Sequence, residues 1–510
     1  MKTIRVLQLG EKDHSKLMPV SDCAEWHYEP DFSKLPEKDF DIAILDREIA
    51  KDEFDYLIRF LRAYTLFITE HVPIEQGSFT QQLMVRKKGK RITADELRTL
   101  LAEGLPDYFP RSYGEKYQPF DLSLAHGFRG KVTWRGFQGV DLTGNFGDEM
   151  TQIVFWRNNI PIDEDQSLEF WLEYTKDETV EISLEISVFS ILYDRLPQSM
   201  KTWVFSEKDL DDIVYIEHPD RKSYIFVSLK ARGTGNLTVT ALHDRYSRRG
   251  KGAFLPGGGR RVTSNREEIF YYFDPGNLKP PLNVYFSGYK TMEGFEGYNM
   301  LRRMGHPFLL IAEARLEGGA FYMGSKEYED VLEHIIRNCM SELGFQRSQV
   351  ILSGLSGGSY GALYYGCRIR PHTILLGKPL ASVGDIAENE RLNRPGAFPT
   401  SLDMLRRYSG SLSREAISGL NDRFWNVFDQ VKWDGTQFAV AYMIEDDYDG
   451  TAYEKLQSHL KGTKVRIYGK GLHGRHNDDT SGIVSWFVKQ FYRIIEDSFD
   501  NAQSETGGQR

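Results

Sequence analysis

The chain has 510 residues, of which 40% are apolar and 27% are charged, and its formal net charge is −9. This is an ordinary globular composition, and the length corresponds to about three domains. The acidic balance disfavours a general nucleic-acid-binding protein, which needs a net basic face. Cys23, Cys339 and Cys367 are too few and too far apart for a disulfide framework or a zinc site, which favours a reducing cytoplasm.

Residues 1–115 are predicted to form a small Rossmann-like α/β unit, with a flavodoxin-like unit as the close variant. Short apolar runs at Ile4–Leu9, 41–45 and Leu66–Thr69 predict strands, and the pattern over 54–63 predicts a helix. No small-residue cleavage site follows the first run, so it predicts a strand and not a signal peptide. The segment LGEKDHSK stands where a glycine-rich fingerprint would be, so we expect no bound dinucleotide.

Residues 116–265 are predicted to form a β-sandwich of the jelly-roll type found in carbohydrate-binding modules. Apolar residues alternate at period two, with strands expected at 153–156, 170–174, 180–188, 224–229 and 237–242. Trp134, Trp156 and Trp171 could stack on a sugar ring, although tryptophans in a sandwich more often fill the core.

Two clusters of basic residues interrupt the first two regions. One is RKKGKR at 86–91, and the other comprises Arg245, Arg248, Arg249 and Lys251. Such clusters attract anionic lipid headgroups with about 1 kcal/mol per residue near a membrane surface. Alternatively, both clusters belong to surface loops whose charged side chains are solvated and bind no lipid. No stretch reaches the roughly 18 apolar residues of a membrane-spanning helix.

Residues 266–498 are predicted to form an α/β-hydrolase-like domain, followed by a disordered tail over 499–510. Strands are expected at 284–286, 308–312, 350–352, 373–376, 438–444 and 465–468. Amphipathic patterns predict helices over 327–343 and 483–495. The long apolar runs are typical of a parallel sheet that is covered on both faces.

A strand that runs directly into the motif G-x-S-x-G is the strongest chemical signal in the sequence. In VILSGLSGG the motif places Ser356 three residues after the predicted strand, where a nucleophile elbow exposes its serine. The overlapping motif GGSYG would make Ser359 the nucleophile, but Ser359 falls inside the first turn of the following helix. Ser356 is therefore the predicted nucleophile.

An acid and a histidine follow in the order of an α/β-hydrolase triad. Glu445, Asp446 and Asp447 come directly after one late strand, and we expect Asp446 to be the triad acid, with the other two as alternatives. His476 follows the last strand and precedes the last helix, where the general base belongs. His473 is the alternative base.

The remaining roles follow from acyl-transfer chemistry. His476 would take the proton of Ser356, and Asp446 would orient and stabilise the imidazolium. Gly357 would supply one N–H donor of the oxyanion hole, and the second is expected from the loop that contains Gly288 and Tyr289. No P-loop, Rossmann fingerprint or metal-ligand cluster appears, so we expect no bound cofactor and no metal.

Three stretches of the sequence resemble a known family. They are the elbow at 353–365, AVAYMIEDDYDGTAY at 439–453 and GRHNDDTSGIVSW at 474–486. They resemble the second accessory Sec secretion protein of streptococci and staphylococci, and the resemblance covers nearly the whole chain. Gly357 departs from the family, in which the corresponding residue is often bulkier.

The resemblance implies two activities. One is export of serine-rich-repeat adhesin glycoproteins, in a complex with two other accessory Sec proteins and the accessory Sec ATPase. The complex works in the cytoplasm, peripherally at the inner face of the membrane. The other activity is O-acetylation of N-acetylglucosamine on the adhesin, for which the resemblance implies Ser356, Asp446 and His476 as the triad.

Two alternative functions remain open at the level of the sequence. The hydrolase fold could be a catalytically inactive transport scaffold, although the order serine, acid and histidine is intact. The same triad could also serve a carbohydrate esterase or deacetylase, because these enzymes and a transferase share the acyl-enzyme intermediate. Nothing in the sequence identifies the acetyl donor.

Overall fold

A computed structural model describes residues 3–28, 32–190 and 199–500. The first region contains a five-stranded, fully parallel sheet in the order β2-β1-β3-β4-β5, which is the flavodoxin-like order. Its elements are β1 (Ile4–Leu9), β2 (Ala24–Tyr28), β3 (Ile42–Leu45), α1 (Lys51–Phe60), β4 (Leu66–Thr69), α2 (Phe79–Arg86), β5 (Lys90–Ile92) and α3 (Ala94–Thr99).

The central strands of this sheet are the ones that the sequence predicts. β1, β3 and β4 are apolar runs and are almost completely buried. The predicted helix at 54–63 lies three residues too far along the chain, since α1 occupies Lys51–Phe60. β2 and β5 were not predicted, because these edge strands read AEWHY and KRI and have no apolar run.

The second region is built from ten strands in one hydrogen-bonded sheet. They are β6 (Gly114–Tyr117), β7 (Leu122–Leu124), β8 (Lys131–Trp134), β9 (Val140–Trp156), β10 (Ile160–Ile162), β11 (Leu168–Lys176), β12 (Val180–Ser190), β13 (Ser199–Ser206), β14 (Val214–Ile216) and β15 (Ser223–Tyr246).

The 24-residue strand β15 connects the two halves of this sheet. Its first half pairs with β12, its second half pairs with β11, and β9 pairs with it across the middle. Apolar side chains from both halves pack into one core. Where the sequence predicts a two-sheet sandwich, the strands form one hydrogen-bonded sheet that β15 holds together.

The three tryptophans of this region have different environments. Trp156 and Trp171 are almost completely buried, which agrees with the expectation that such residues fill the core. The guanidinium groups of Arg260 and Arg266 also lie over the Trp171 ring, with their central carbons 4.3 and 3.9 Å from the ring centroid. Trp134 is about half exposed and is the one of the three that solvent can reach.

The third region contains an eight-stranded sheet in the order β16-β17-β19-β18-β20-β21-β22-β23. Its strands are β16 (Gly259–Val262), β17 (Glu268–Asp274), β18 (Leu282–Phe286), β19 (Phe308–Glu313), β20 (Val350–Leu355), β21 (Thr373–Gly377), β22 (Asp434–Met443) and β23 (Lys464–Leu472). Its helices are α4 (Tyr298–Met304), α5 (Lys326–Leu343), α6 (Gly357–Ile369), α7 (Val383–Leu392), α8 (Thr400–Ser409), α9 (Arg414–Asp429), α10 (Ala452–His459) and α11 (Thr480–Ile495).

The strands from β18 to β23 are parallel, as the apolar runs predict. The class, a mixed α/β chain with several sheets, is confirmed. The sheet begins at Gly259, seven residues before the predicted boundary at 266. Helices α7, α8 and α9 between β21 and β22 were not predicted.

The end of the described chain is helical. Residues 496–500 form a last helical turn, and Phe499 in it is buried. The rest of the predicted tail, 501–510, lies outside the described residues. Among the described helices, none combines the length and hydropathy needed to cross a membrane.

The first basic cluster is engaged by the protein itself. Lys87 is buried, and its ammonium donates to the carbonyl oxygens of Ile58 and Leu61 at 2.8 and 2.6 Å. Arg86 donates to the carbonyl oxygen of Gly276 at 2.8 Å, which ties the first region to the third. The interpretation of 86–91 as a solvated loop is therefore wrong for these two residues.

Two residues of the second basic cluster are likewise internal, whereas Arg249 and Lys251 are exposed. Arg245 and Arg248 are among the largest fully buried side chains of the described chain, so they form no surface patch. The guanidinium of Arg248 donates to four backbone carbonyl oxygens, those of Asp107, Phe109, Arg111 and Phe254. Arg248 therefore fastens the chain that leaves the first region to the segment that precedes β16.

We expect Arg248→Met to lower the free energy of unfolding by about 3 kcal/mol, because buried carbonyl groups lose their donors. The neighbouring Arg249 is half exposed and makes one ion pair, with Asp107 at 2.9 Å. Arg249→Met is thus a matched control and should cost less than about 1 kcal/mol. Thermal unfolding of the two variants measures the difference, and equal melting temperatures would contradict the assigned role of Arg248.

Candidate active site

Ser356 lies at a sharp turn between β20 and α6. Its φ of 51° and ψ of −123° are rare for a residue other than glycine and cost about 1–3 kcal/mol. A Cβ at Gly354 would lie 2.2 Å from the carbonyl oxygen of Gly358, and one at Gly358 would lie 2.1 Å from that of Phe286. Glycine is thus required at 354 and 358, and the turn has the strand–turn–helix form of a nucleophile elbow.

Ser359, the alternative nucleophile, points into the protein. Its side chain is fully buried, and its hydroxyl donates to the carbonyl oxygen of Ser356 at 2.5 Å and accepts from the N–H of Leu380 at 2.8 Å. Ser359 therefore stabilises the turn that carries Ser356.

Two hydrogen bonds join Ser356 to a histidine and an acid. The hydroxyl of Ser356 lies 2.9 Å from Nε2 of His476, and Nδ1 of His476 lies 2.8 Å from Oδ2 of Asp446. His476 and the carboxyl group of Asp446 are almost completely buried. The structure thus brings together the three residues that the sequence predicts, in the order of a charge-stabilised triad.

Asp446 is held in its ionised form. Burial is the largest influence on its pKa and would raise it, but the hydrogen bond and charge of His476 and the N–H groups of Tyr448 and Asp449 lower the pKa below its usual value. A carboxylate that stays ionised at neutral pH stabilises the imidazolium that forms when His476 accepts a proton.

The other acids and the other histidine make different contacts. Glu445 is exposed and accepts from His473 and from the N–H of Gly474 at 2.6 Å. Asp447 accepts from the backbone N–H of His476 at 3.1 Å. The side chain of His473 is 86% exposed and is not within hydrogen-bonding distance of Ser356. These three residues surround the triad but do not occupy its positions.

The N–H groups of Gly357 and Tyr289 are the candidate oxyanion donors. A Cβ built on Gly357 would lie 3.5 Å from the backbone nitrogen of Tyr289, so the two residues approach each other beside Ser356. Within residues 3–28, 32–190 and 199–500, neither N–H has a hydrogen-bond acceptor. The same 3.5 Å is an ordinary contact distance, so the neighbouring backbone leaves room for a Cβ at 357.

Gly288 has a different place in this loop. Its N–H donates to Oε2 of Glu296 at 2.8 Å, so it is not free to bind an oxyanion. A Cβ at Gly288 would lie 2.9 Å from the carbonyl oxygen of Leu355. Glycine at 288 therefore allows the loop to approach the elbow closely.

Tyr448 is a contact of the triad that the sequence did not identify. Its ring stacks on the imidazole of His476, with centroids 4.3 Å apart and planes 21° apart. The guanidinium of Arg394 lies 4.8 Å from the same ring and also pairs with Asp447. These residues fix the plane of the imidazole. The one available signal was an aromatic residue two positions after the triad acid.

The arrangement supports acyl transfer. It provides a serine hydroxyl bonded to an imidazole and an ionised carboxylate behind the imidazole. Next to the nucleophile it also provides two N–H groups that have no acceptor in the described part of the chain. These are the parts that formation and breakdown of an acyl-enzyme require.

Comparison with known proteins gives strong matches over the whole chain. The model of the family described as Accessory Sec system GspB-transporter matches residues 4–501. An accessory Sec system protein of Streptococcus gordonii is 38% identical over 507 residues, which are 97% of this chain and 98% of that protein. A second, from Staphylococcus aureus, is 38% identical over 520 residues, with 98% of both chains covered.

A solved structure agrees with these matches. A chain from the Glycosylation Associate Protein (Gap123) complex of Streptococcus agalactiae superposes with a TM-score of 0.86. It is 34% identical, and the alignment covers 98% of this chain and 99% of that one.

A fluorophosphonate should label Ser356 and leave Ser359 unlabelled. The reagent needs an accessible nucleophile that is activated by a base, and Ser359 is buried and engaged on both sides of its hydroxyl. Peptide mapping by mass spectrometry locates the adduct, and Ser356→Ala provides the blank. An adduct on Ser359 in the presence of an unlabelled Ser356 would contradict the assignment.

His476→Ala should lower turnover of a chromogenic acetyl ester to nearly the level of Ser356→Ala, a loss of about 10²–10⁴-fold. His473→Ala is the matched control and should keep most of the activity, since its side chain points to solvent. The double variant Ser356→Ala/His476→Ala should be little worse than either single variant, because the residues act as one unit. If His473→Ala inactivates the protein and His476→Ala does not, His473 and not His476 is the general base.

Proposed function

We propose that this chain, which belongs to the Accessory Sec system GspB-transporter family and has a role in export, is also an enzyme. We further propose that the cargo it helps to export is a serine-rich-repeat adhesin. Its proposed reaction is O-acetylation of N-acetylglucosamine on serine-rich-repeat adhesin glycoproteins. The observation that carries the proposal is the pair of hydrogen bonds, 2.9 and 2.8 Å long, that joins Ser356 to His476 and His476 to Asp446.

The first half of the proposed reaction forms an acyl-enzyme. His476 accepts the proton of Ser356 while Oγ attacks the acetyl carbonyl of the donor, and the oxyanion is bound by the N–H groups of Gly357 and Tyr289. The bond between the carbonyl carbon and the leaving group then breaks, and His476 returns its proton to that group. Asp446 remains ionised throughout and stabilises the imidazolium.

The second half transfers the acetyl group to a sugar. A hydroxyl of N-acetylglucosamine loses its proton to His476 and attacks the acyl-enzyme, and His476 then protonates Oγ of Ser356. Water in place of the sugar would give an esterase by the same steps. Acceptor choice, which depends on the shape of the pocket, therefore distinguishes a transferase from an esterase or deacetylase.

The proposed assembly follows from the relatives. The Streptococcus agalactiae chain belongs to a complex titled Glycosylation Associate Protein (Gap123), which supports two other accessory Sec proteins as partners of this chain. We further propose the accessory Sec ATPase and the adhesin itself as partners, and a cytoplasmic location that is peripheral at the inner face of the membrane. The acetyl donor is proposed to bind transiently, without a resident cofactor.

Glycans of the secreted adhesin should lose their acetyl groups when the chain carries Ser356→Ala. Mass spectrometry of the adhesin from cells with the wild-type and variant proteins measures the acetyl content. A gain of acetyl groups in the variant would instead identify a deacetylase, and no change would favour an inactive scaffold.

Secretion in the same cells provides the control. Ser356 and Gly357 lie at the carboxyl end of β20, within the eight-stranded sheet. Ser356→Ala should therefore leave the fold and the surfaces of the other two sheets intact. The variant should still bind its partners and support export of the adhesin. Loss of complex assembly in Ser356→Ala would contradict the separation of the two roles.

A further inference from the structure

The loop at 287–297, which we call the oxyanion loop, carries Tyr289 and connects β18 to α4. Its two ends are held together locally. The N–H of Gly288 donates to the carboxylate of Glu296 at 2.8 Å, and the hydroxyl of Ser287 accepts from the N–H of Glu296 at 3.1 Å. These bonds fix the two ends of the loop, beside β18 and α4, and Ser287 is further held by its N–H to Ile311 and by the hydroxyl of Tyr322.

The middle of the oxyanion loop is held against the second region by Glu293. The carboxylate of Glu293 is buried and accepts from Nδ1 of His243 and from Nε of Arg245, both at 2.5 Å. The N–H of Glu293 donates to the carbonyl oxygen of Gly114 at 2.9 Å. His243 and Arg245 belong to β15 and Gly114 to β6, so three contacts fasten the loop to the ten-stranded sheet.

Arg245 extends the connection to the catalytic sheet. Its two terminal nitrogens donate to both oxygens of Glu268, on β17, at 2.8 and 2.6 Å. Arg260 donates to the same carboxylate at 2.5 Å. One guanidinium therefore joins the oxyanion loop, the ten-stranded sheet and the eight-stranded sheet in a buried setting, where fork-shaped ion pairs have fixed geometry.

The groups of this network are charged. Burial is the largest influence on His243 and would lower its pKa, but Glu293 and Glu173 raise the pKa to about 9. Burial would raise the pKa of Glu268, but Arg245 and Arg260 lower it to about 2. Because charged partners in the interior cannot move apart without large cost, the loop has one well-defined position.

Oxygen and nitrogen atoms of Glu173, His243 and Glu268 lie within 4.8 Å of one another, which is close enough to hold a metal ion. The carboxylate of Glu268 is already bound on both oxygens by Arg245 and also by Arg260. Side-chain cations thus supply the positive charge that a metal would provide, and the cluster is an ion-pair network.

We propose that Glu293, held by His243 and Arg245, is a positioning residue that sets the N–H of Tyr289 at the distance from Ser356 that oxyanion binding requires. This inference rests on the proposed function. A displacement of about 1 Å in a catalytic group lowers the rate by about 10²-fold, and a lost oxyanion donor costs about 10²–10³-fold. Arg245, which belongs to the second basic cluster, therefore acts on catalysis indirectly, by holding Glu293 and with it the oxyanion loop.

The test compares Glu293→Gln and Glu293→Asp with the wild-type full chain in hydrolysis of a chromogenic acetyl ester. Glu293→Gln replaces the acceptor facing His243 by an amide, and Glu293→Asp keeps the charge but shortens the side chain. We expect kcat to fall by about 10–10²-fold in Glu293→Gln and by less in Glu293→Asp, with KM within about two-fold of wild type. Affinity for an alkyl boronic acid, whose tetrahedral adduct fills the oxyanion site, should fall in parallel with kcat.

Arg260→Gln is the matched control. Arg260 contacts the same Glu268 carboxylate and also Asp212 at 2.8 Å, but it does not touch Glu293. It should lower the melting temperature and leave kcat within about two-fold of wild type. An equal loss of kcat in Arg260→Gln, or an unchanged kcat in both Glu293 variants, would overturn the proposal.

Ester turnover by the wild-type protein and by Ser356→Ala tests the proposed function independently of the role of Glu293. Turnover that disappears in Ser356→Ala supports the proposed function, whatever the Glu293 variants do. Absence of such turnover in the wild type would overturn both. If Glu293→Gln does not fold, Glu293→Asp gives the decisive comparison, because it keeps both ionic partners.

Discussion

The parallel arrangement of β20, β21, β22 and β23 in one sheet is the constraint on which the candidate site depends. Parallel strands end at the same edge, so residues that directly follow them meet although they are 30 to 120 positions apart in the chain. Ser356 follows β20, Asp446 follows β22 and His476 follows β23. Strand order therefore brings the three residues to one end of the sheet, and the loops after β22 and β23 set the two hydrogen bonds between them.

This dependence explains which parts were predictable from the sequence. The end of a strand can be predicted from an apolar run that is followed by turn residues. The sequence therefore predicts Ser356 as the nucleophile and limits the candidates for the triad acid and the base to a few neighbouring residues. The choice among Glu445, Asp446 and Asp447 depends on loop geometry within one turn, which no periodicity encodes. Strands β2 and β5 were missed for a related reason, since edge strands carry no apolar run.

Buried charge was the least predictable feature. A basic stretch of sequence does not show whether its arginines are exposed to water or paired with carboxylates, because the pairing residues are far away in the sequence. Glu293, for example, is 48 positions from Arg245. The carbonyl oxygens that bind Arg248 are likewise up to 141 positions away. The surface interpretation of the second basic cluster is wrong for Arg245 and Arg248, because most of the groups that bind these two arginines lie in other regions of the chain.

Several features of the site are locally unfavourable and have no function in a passive scaffold. Ser356 has a backbone conformation that costs about 1–3 kcal/mol, the carboxylate of Asp446 is buried, and the N–H groups of Gly357 and Tyr289 have no acceptor among the described residues. A chain that needed only its docking surfaces would gain stability from relaxing each of them. Their occurrence around one serine is what an acyl-transfer site requires, since strain exposes the nucleophile and unpaired donors await an oxyanion. The physical cost of the site therefore argues for an active enzyme within the export protein.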